Sequence, residues 1–318
     1  MRTILALVLA LAAAGAAAQG TYPSRPIRLL IGFPPGAGMD AVARPFAARM
    51  SELLGQPVVV ENRPGAGGAV SDAAIARAAP DGYTIGFGSN GDLVIVPLLT
   101  KVDYDPATSF TPITLVSREE GFVLLANPAF TPNNLQDLVA LARAKPGAVH
   151  YGSGGVGLPH HIAMEEFKLL AHIDMVHVPY KGAGPMTQDI LGGNLMLGIG
   201  NVTALPLIRD RKLKALAVTA SRRIPALSEV PTFIEQGYAI EASGWFALIA
   251  PAGLPPLVLD TLAAAARFVS GEPAFNERLF GLGMRGEAST PDGLRQIVRD
   301  DTAKWAKLIK DTGVRVEQ

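Results

Sequence analysis

The chain has 318 residues, and its 28 basic and 28 acidic side chains give a formal net charge of zero. A balanced charge without a basic run argues against nucleic acid or an anionic membrane surface as a partner. The sequence contains no cysteine, which excludes a disulfide scaffold and a cysteine-anchored lipoprotein, and its length suits two domains.

Residues 1–18 have the composition of a secretory signal peptide. Arg2 precedes an apolar run that begins at Ile4, and Ala16, Ala17 and Ala18 supply the small residues of a cleavage site. The alternative is a membrane anchor, but the run is short for a span of about 20 residues and lacks a basic flank after it. We therefore expect cleavage after Ala18 and export to a bacterial periplasm.

Strands and helices alternate through the rest of the chain. The first predicted series consists of strand Ile27–Phe33, helix Ala41–Leu53, strand Pro57–Glu61, helix Val70–Ala78 and strand Tyr83–Phe87. The second consists of helix Leu135–Ala144, strand Val149–Tyr151, helix Ile162–Leu170, strand Met175–Val178, helix Met186–Leu191, and strands Leu195–Ile199 and Leu213–Thr219. Apolar strands separated by helices predict parallel sheets covered on both faces. Two such series predict two α/β domains, one of residues 19–122 plus 248–318 and one of residues 123–247.

Two glycine-opened loops connect a buried strand to a helix, one in each series. The first begins IGFPPGAGMD at Ile31, and the second begins YGSGGVGLPHH at Tyr151. Ligands of open α/β sheets collect at the carboxyl ends of strands, and a helix start exposes N–H groups that suit an anion. Glycine lets the loop backbone come close to that anion. The two loops therefore predict a site for a carboxylate or phosphate between the domains.

The signatures of other functions fail at specific residues. Gly152–Gly157 fits the dinucleotide pattern G-x-G-x-x-G, but Gly86–Gly91 fits it too, and Pro-Tyr-Lys follows strand Met175–Val178 where an acid is needed. The sequence has no Gly-Lys dipeptide and no G-x-S-x-G, so it has neither a Walker loop nor the usual nucleophile elbow. Its five histidines lie between His150 and His177 without H-E-x-x-H. We expect no cofactor, no metal and no catalytic residue, and we expect His161 to make a hydrogen bond at a helix start.

Several long phrases of the sequence resemble those of one known family. They are YPSRPIRLLIGFPPGAGMDAVAR, LGQPVVVENRPGAGG, AAPDGYTIGFGSN, HVPYKGAGPMTQDILGG and GWFALIAPAGLP, in order from Tyr22 to the C-terminal region. They are similar to the tripartite tricarboxylate transporter receptors, also called Bug receptors. The resemblance implies a two-domain α/β periplasmic-binding-protein (Venus flytrap) fold with a ligand cleft between the domains.

The resemblance also implies a function. We expect a monomer that captures a small organic carboxylate by domain closure and delivers it to membrane permease subunits of the tripartite tricarboxylate type. The alternative that stays open is an exported enzyme, or a binding subunit coupled to a sensor, that acts on a small carboxylate.

Carried over by position, the resemblance implies ligand contacts from four loops. The candidates are Phe33, Gly36, Ala37, Gly38, Asp40, Ser89, Asn90, Ser153, Gly155, Val156, Gly157, His161 and Asn201. Structural alternatives exist, since Asp40 suits a helix cap, Ser89 and Asn90 suit a helix start, and Ser153 suits a turn. Val156 and Leu158 favour an apolar wall and a ligand with an apolar or aromatic body.

The sequence also predicts what the ligand lacks. Gly200 and Asn201, rather than an acid, follow the strand that ends at Ile199. An enclosed ammonium group without an acidic partner would lose its hydration without compensation, so we expect an organic acid without an amino group. Asp92 is expected to face solvent at a helix start. Trp245 is expected to pack where the chain crosses between the domains.

Overall fold

A first sheet of six strands is built from the N-terminal and C-terminal parts of the chain. The structure, a computed structural model, describes residues 22–315, and the predicted signal peptide lies outside them. The strands are β1 (Ile27–Ile31), β2 (Val58–Asn62), β3 (Thr84–Ser89), β4 (Phe110–Glu119), β10 (Trp245–Pro251) and β11 (Met284–Gly286). Their order across the sheet is β11-β4-β10-β3-β1-β2.

A second sheet of five strands is built from the middle of the chain. Its strands are β5 (Phe122–Ala126), β6 (His150–Ser153), β7 (Val176–Pro179), β8 (Leu197–Asn201) and β9 (Lys214–Val218). Their order across the sheet is β7-β6-β8-β5-β9. Each sheet is therefore continuous in space although the first is interrupted in sequence.

The sheets are mixed, so the prediction of parallel sheets is right for only part of each. Strand β1 pairs in parallel with β2 and β3, and β6 pairs in parallel with β7 and β8. Strand β10 runs antiparallel to β3 and β4, and β5 runs antiparallel to β8 and β9. The antiparallel strands adjoin the places where the chain passes between the sheets.

The helices follow the strands as a series of βα connections. They are α1 (Gly38–Leu54), α2 (Ala69–Ala76), α3 (Val96–Leu99), α4 (Leu135–Ala144), α5 (Pro159–Ala171), α6 (Ala183–Gly192), α7 (Leu205–Arg209), α8 (Pro256–Gly271), α9 (Pro273–Gly281) and α10 (Pro291–Thr312). Helix α1 begins three residues before the predicted Ala41. Its start therefore lies within the first glycine-opened loop. Between residues 22 and 315, no helix has both the length and the apolar composition needed to cross a bilayer.

The chain passes between the sheets twice. It leaves the first sheet after Glu119, enters the second at Phe122, and returns between Val218 and Trp245. Phe122 pairs with Asn201 in the second sheet, and Trp245 pairs with Arg118 in the first. The domain limits drawn from the sequence, at 122/123 and 247/248, stay a prediction, and the strands place the crossings immediately before Phe122 and before Trp245.

Helix α10 contacts both halves of the molecule. It packs on β4 of the first sheet and also on α5, which follows β6 of the second sheet. The Trp245 indole Nε1 donates to Asp301 Oδ2 of this helix at 2.7 Å, and Lys304 Nζ donates to the Glu241 carbonyl oxygen at 2.8 Å. The C-terminal helix thus joins the returning segment to the first domain.

The loop NRPGAGG after β2 is packed against its neighbours. A Cβ added at Gly32 would lie 2.6 Å from Gly68 Cα, so the loops that follow β1 and β2 touch through their glycine backbones. Gly68 has φ +107° and packs against the Asp92 side chain. Only glycine suits this backbone conformation without strain. The NRPGAGG loop therefore packs against the loop after β1 and supports it.

Candidate functional site

A cavity of about 160 Å³ lies where the carboxyl ends of the parallel strands of both sheets meet. The loops after β1, β3, β6 and β7 and the last residue of β8 contribute to its wall. This is the edge at which ligands of open α/β sheets bind. A volume of this size accommodates a molecule of about the size of benzene.

The structure brings six of the predicted site residues to the cavity wall and places seven elsewhere. The six that line the cavity are Phe33, Ala37, Gly38, Ser89, Asn90 and Asn201. The seven that lie outside its lining are Gly36, Asp40, Ser153, Gly155, Val156, Gly157 and His161. Those seven include all five predicted residues of the facing loop. Their ligand contacts stay a prediction.

Three helix starts border the cavity. They are Gly38 and Met39 of α1, Pro159 and His160 of α5, and Gly182 and Ala183 at the start of α6. None of the three N-cap residues makes a side-chain cap hydrogen bond. First-turn N–H groups have no partner within their helix, and the helix dipole is positive there. The α6 start was not among the predicted site elements, although the glycines of PYKGAGP after β7 are typical of such a loop.

The loop glycines themselves use their N–H groups internally. The Gly36 N–H donates to Asp40 Oδ2 at 3.0 Å, and the Gly154 N–H donates to His160 Nε2 at 2.9 Å. The Gly157 N–H donates to His161 Nδ1 at 3.1 Å. The donors available to an anion are therefore those of the helix starts, and the glycines shape the loops that present them.

Asp40 organises the first loop from inside helix α1. It is the third residue of the helix, and Ala37 is the N-cap, so the prediction that Asp40 is the cap is wrong in position. Its buried carboxylate accepts hydrogen bonds from the Gly36 N–H, Arg44 Nε and Asn62 Nδ2, at 2.9 to 3.0 Å. Burial raises the pKa of Asp40, but these hydrogen bonds, that of Arg44 above all, outweigh burial and hold the pKa below its usual range.

We expect the Asp40→Ala variant to lose about 2 kcal/mol of unfolding free energy, because the Gly36 and Asn62 donors lose their acceptor. Ligand affinity should fall as well, since the loop that leads into α1 is no longer fixed. Asp137→Ala is the matched control, because Asp137 is also the third residue of a helix, α4, and its Oδ2 accepts from the Asn133 N–H at 3.1 Å. Urea unfolding and calorimetry would test this, and equal losses of affinity in both variants would contradict it.

A histidine cluster supports the loop after β6. His161 stacks on His177 with ring centroids 3.8 Å apart, and Ser153 Oγ lies 2.7 Å from His177 Nε2. Burial lowers the pKa of His160 and of His177 to about 4, and that of His161 to about 3. His160 and His161 accept backbone N–H groups, as their neutral forms require. The expectation of a helix-start hydrogen bond from His161 agrees with the structure.

Asp92 is fully buried, so the expectation that it faces solvent is wrong. Its Oδ1 accepts from the Ser89 N–H and hydroxyl, while Oδ2 has no hydrogen-bond partner among the described residues. The Tyr104 hydroxyl lies 2.8 Å from the Asp92 carbonyl oxygen and 3.4 Å from Oδ2 of the buried Asp72. Burial, and for Asp72 also the neighbouring Asp92 charge, raises the pKa of both carboxyls well above the usual range.

This buried pair should make the protein less stable as the pH rises. The folded protein keeps a proton that the unfolded chain releases, so the contribution is greatest below about pH 4 and is lost as the pH rises toward the raised pKa values. We expect Asp72→Asn to reduce the loss of unfolding free energy between about pH 5 and about pH 8 by on the order of 2 kcal/mol. Asp103→Asn, at an exposed residue paired with Arg77, is the control. An equal pH dependence in wild type and Asp72→Asn would contradict the expectation.

Glu119 is a cavity residue that the sequence analysis missed. It is the last residue of β4, and its half-buried side chain lies on the cavity wall. Burial raises the pKa of Glu119 to about 7, although hydrogen bonds from the Asn201 side chain and the Gly244 N–H favour its ionised form. The premise that the cleft lacks an acidic partner is therefore wrong. No pattern marks this residue, because it lies in the cavity only through the crossing to β5.

Aromatic side chains form much of the remaining wall. Phe33, Phe122, Trp245 and Phe246 line the cavity, and Phe122 lies beside His160 with ring centroids 5.3 Å apart. Trp245 is 1% exposed, and its hydrogen bond to Asp301 fixes the indole ring. The expected packing role of Trp245 agrees with this, and the ring also forms part of the cavity.

Comparison with known proteins decides the family. A family model described as "Tripartite tricarboxylate transporter family receptor" matches residues 42–314. The chain belongs to this family of receptors. It is 35% identical over 325 residues to Protein BugT of Bordetella pertussis, which covers all of this chain and 99% of that protein.

Solved structures similar to this receptor share its architecture. One is described as R. palustris Rpa4515 with adipate, at a TM-score of 0.86 and 32% identity, covering 92% of this chain and 99% of that one. Another is the periplasmic binding protein BugD, at a TM-score of 0.83 and 34% identity, covering 93% of this chain and all of that one. The predicted α/β periplasmic-binding-protein fold and the predicted family are thus confirmed for this receptor.

Proposed function

We propose that this receptor captures a small organic carboxylate in the cavity between its two sheets and delivers it to membrane permease subunits of the tripartite tricarboxylate type. The observation that carries the proposal is the convergence of three helix starts on one cavity. Among the described residues that line this cavity there is no lysine or arginine. A bound carboxylate would therefore be held by backbone N–H groups and helix dipoles.

The cavity wall supports a compact ligand with an apolar body. The aromatic rings of Phe33, Phe122 and Phe246 offer apolar surface beside the helix starts. The adipate of the similar R. palustris protein has this character, since a chain of methylene groups joins its carboxylates. We propose that a monomer binds such a ligand by closure of the two domains.

Binding without catalysis is the interpretation that the geometry favours. The Ser153 Oγ and His177 Nε2 pair has the 2.7 Å separation of a nucleophile and its base. Ser153 is fully buried, however, and neither residue lines the cavity. Both side chains instead support the loop that leads into α5. We infer that the receptor does not transform its ligand.

Calorimetry with matched acids and amides tests the proposal. The probes are straight-chain mono- and dicarboxylic acids of four to six carbons, each compared with its primary amide. We expect at least one acid to bind about 100-fold more tightly than its amide, since the amide has no charge for the helix starts to stabilise. Equal binding of acid and amide would contradict the proposal. Recovery of a chemically altered ligand after incubation would contradict the inference that the receptor is not an enzyme.

We also propose that residues 1–18 are removed during export and that the receptor acts in the periplasm. The support is the Ala16-Ala17-Ala18 sequence after a short apolar run. We expect protein from a periplasmic extract to begin at Gln19 or within a few residues of it. N-terminal mass analysis is the measurement, and a chain that retains Met1 in the membrane fraction would contradict the expectation.

A further inference from the structure

Glu119 lies next to the groups that are proposed to hold the ligand. Its carboxyl interacts with the Asn201 side chain, and a Cβ added at Gly38 of α1 would lie 3.6 Å from Asn201 Nδ2. Asn201 therefore lies between the start of α1 and Glu119. Asn201 Oδ1 accepts from the Thr203 hydroxyl at 2.8 Å, so Nδ2 is the Asn201 group that can face Glu119 as a donor.

The carboxyl of Glu119 lies against the backbone of Gly244, which also lines the cavity. A Cβ at Gly244 would overlap Glu119 Oε2, so the carboxyl packs closely on the Gly244 backbone. The Glu119 N–H in turn donates to the Gly244 carbonyl oxygen at 2.8 Å. The backbone position of Glu119 is therefore set by the pairing of β4 with the segment that enters β10, and its carboxyl packs against the Gly244 backbone.

No cation neutralises Glu119 among the described residues around the cavity. The neighbouring Arg118 is paired with Glu287, with Nε–O distances of 3.0 and 3.1 Å. His160, the other titratable residue of the cavity lining, accepts the Gly154 N–H through Nε2 and is neutral. An ionised carboxylate has about four acceptor positions, and the Asn201 and Gly244 donors leave some of them for the cavity.

We propose that Glu119 sets the specificity of the cleft by accepting a hydrogen bond from a donor group, a hydroxyl or an ammonium, on the captured carboxylate. This inference rests on the proposed function. The ligand carboxylate binds at the helix starts. The donor group of the same ligand binds to the Glu119 carboxylate, on the other side of Asn201. The ligand carboxylate near Glu119 favours the protonated form of Glu119, whereas an ammonium group on the ligand compensates the Glu119 charge and a hydroxyl group adds a hydrogen bond to it.

The test compares acids that differ only in one substituent. The probes are succinate, malate and aspartate; glutarate, 2-hydroxyglutarate and glutamate; and butanoate, 3-hydroxybutanoate and 3-aminobutanoate. In the wild-type receptor we expect the hydroxyl or the amino member of one series to bind about tenfold more tightly than its parent acid. Which member is preferred distinguishes the two kinds of donor.

The Glu119→Gln variant should abolish a preference for the amino member and weaken a preference for the hydroxyl member, because a glutamine oxygen still accepts a hydrogen bond but carries no charge. The variant keeps the size of the side chain and removes the charge, so the parent acid should bind about threefold or more tightly than in the wild type, and an amino member about tenfold more weakly. Titrations in buffers of different ionisation enthalpy should show proton uptake by the wild type with the parent acid, and none by Glu119→Gln. Glu120→Gln is the matched control, since Glu120 lies outside the cavity lining. Thermal melts establish that both variants are folded.

Two results would overturn the assignment. One is a wild-type receptor that binds parent acids as tightly as both substituted members, and the other is a preference of unchanged size in Glu119→Gln. In either case the acids still bind, so the proposed function survives. Failure of every acid to bind the folded wild type would contradict the proposed function and the assignment of Glu119 together.

Discussion

We expect the Gly38→Val variant to lose carboxylate binding while it stays folded. Gly38 is the first residue of α1, and a Cβ there would point toward Asn201 Nδ2 at 3.6 Å, an ordinary van der Waals distance. A valine side chain would occupy the space between the helix start and Asn201 and would cover the N–H groups of the first turn. We expect the affinity for the tightest-binding acid to fall by about 100-fold or more.

A side chain at position 38 does not strain the backbone, so a loss of binding can be assigned to the covered helix start. The backbone of Gly38 lies outside the positive-φ region, whereas Gly36 and Gly157 have φ values of +82° and +77°, where any side chain would strain the loop. Gly271→Val is the control, because Gly271 ends helix α8 and a Cβ there meets nothing within 4 Å. Calorimetry and thermal melts of both variants are the measurements. Retained affinity in Gly38→Val would remove the α1 start from the binding site.

Acid should destabilise the receptor through its buried histidines. The pKa of His160 in the folded protein is about 4, below the usual value of about 6.5, so the unfolded chain binds the extra proton first. This contribution to stability is complete above about pH 6.5 and is lost as the pH falls toward 4. His160 is half-buried and lines the cavity, so we expect a loss on the order of 1 kcal/mol at pH 5. Protonation also removes the acceptor for the Gly154 N–H, so the loop before α5 should lose its shape.

The His160→Gln variant separates this effect from general acid unfolding. A glutamine oxygen can accept the Gly154 N–H without titrating, so the difference in unfolding free energy between about pH 7 and about pH 5 should shrink. His150→Gln is the control, since His150 is an exposed residue at the start of β6. Urea unfolding at the two pH values is the measurement. The account of the cluster is wrong if His160→Gln and wild type lose the same stability in acid.

The two buried titrating groups act in opposite directions. The histidine cluster loses stability as the pH falls below about 6.5, and the Asp72–Asp92 pair loses it as the pH rises above about 4. Both groups support cavity loops, because Asp92 accepts from Ser89 and the histidines accept the N–H groups of glycines after β6. The shape of the cavity should therefore respond to pH even where the ligand does not titrate.

The sequence predicted the parts of the fold that repeat a local pattern. The strand-glycine-helix order around Ile31 and around Tyr151 locates β1, α1, β6 and α5, and helix α4 was predicted with its observed ends, Leu135 and Ala144. Strands β4 and β10 were not predicted as members of one sheet, because their neighbours are distant in sequence. Polar residues such as Thr111 and Ser117 also interrupt the apolar pattern of β4.

The site residues that belong to the repeated strand-loop-helix pattern were predictable, and those at the crossings between the sheets were not. Gly38 and Asn201 follow strands of the repeated pattern and line the cavity, whereas Glu119 and Trp245 reach it only through the two crossings between the sheets. The facing loop shows a different limit. Ser153 and His161, whose ligand contacts stay a prediction, lie outside the cavity lining and make hydrogen bonds with His177 and the Gly157 N–H. The spacing of residues in the sequence does not distinguish a ligand contact from a residue that supports one.

The most direct test of the helix-start account is a crystal structure of the receptor with the tightest-binding acid of the calorimetric panel. We predict a ligand carboxylate with oxygens about 2.7–3.2 Å from the backbone nitrogen of Gly38 or Met39. We predict the same distance to the backbone nitrogen of His160 or Ala183, across the cleft. A carboxylate bound by a lysine or arginine side chain, or one that lies away from all three helix starts, would contradict the account.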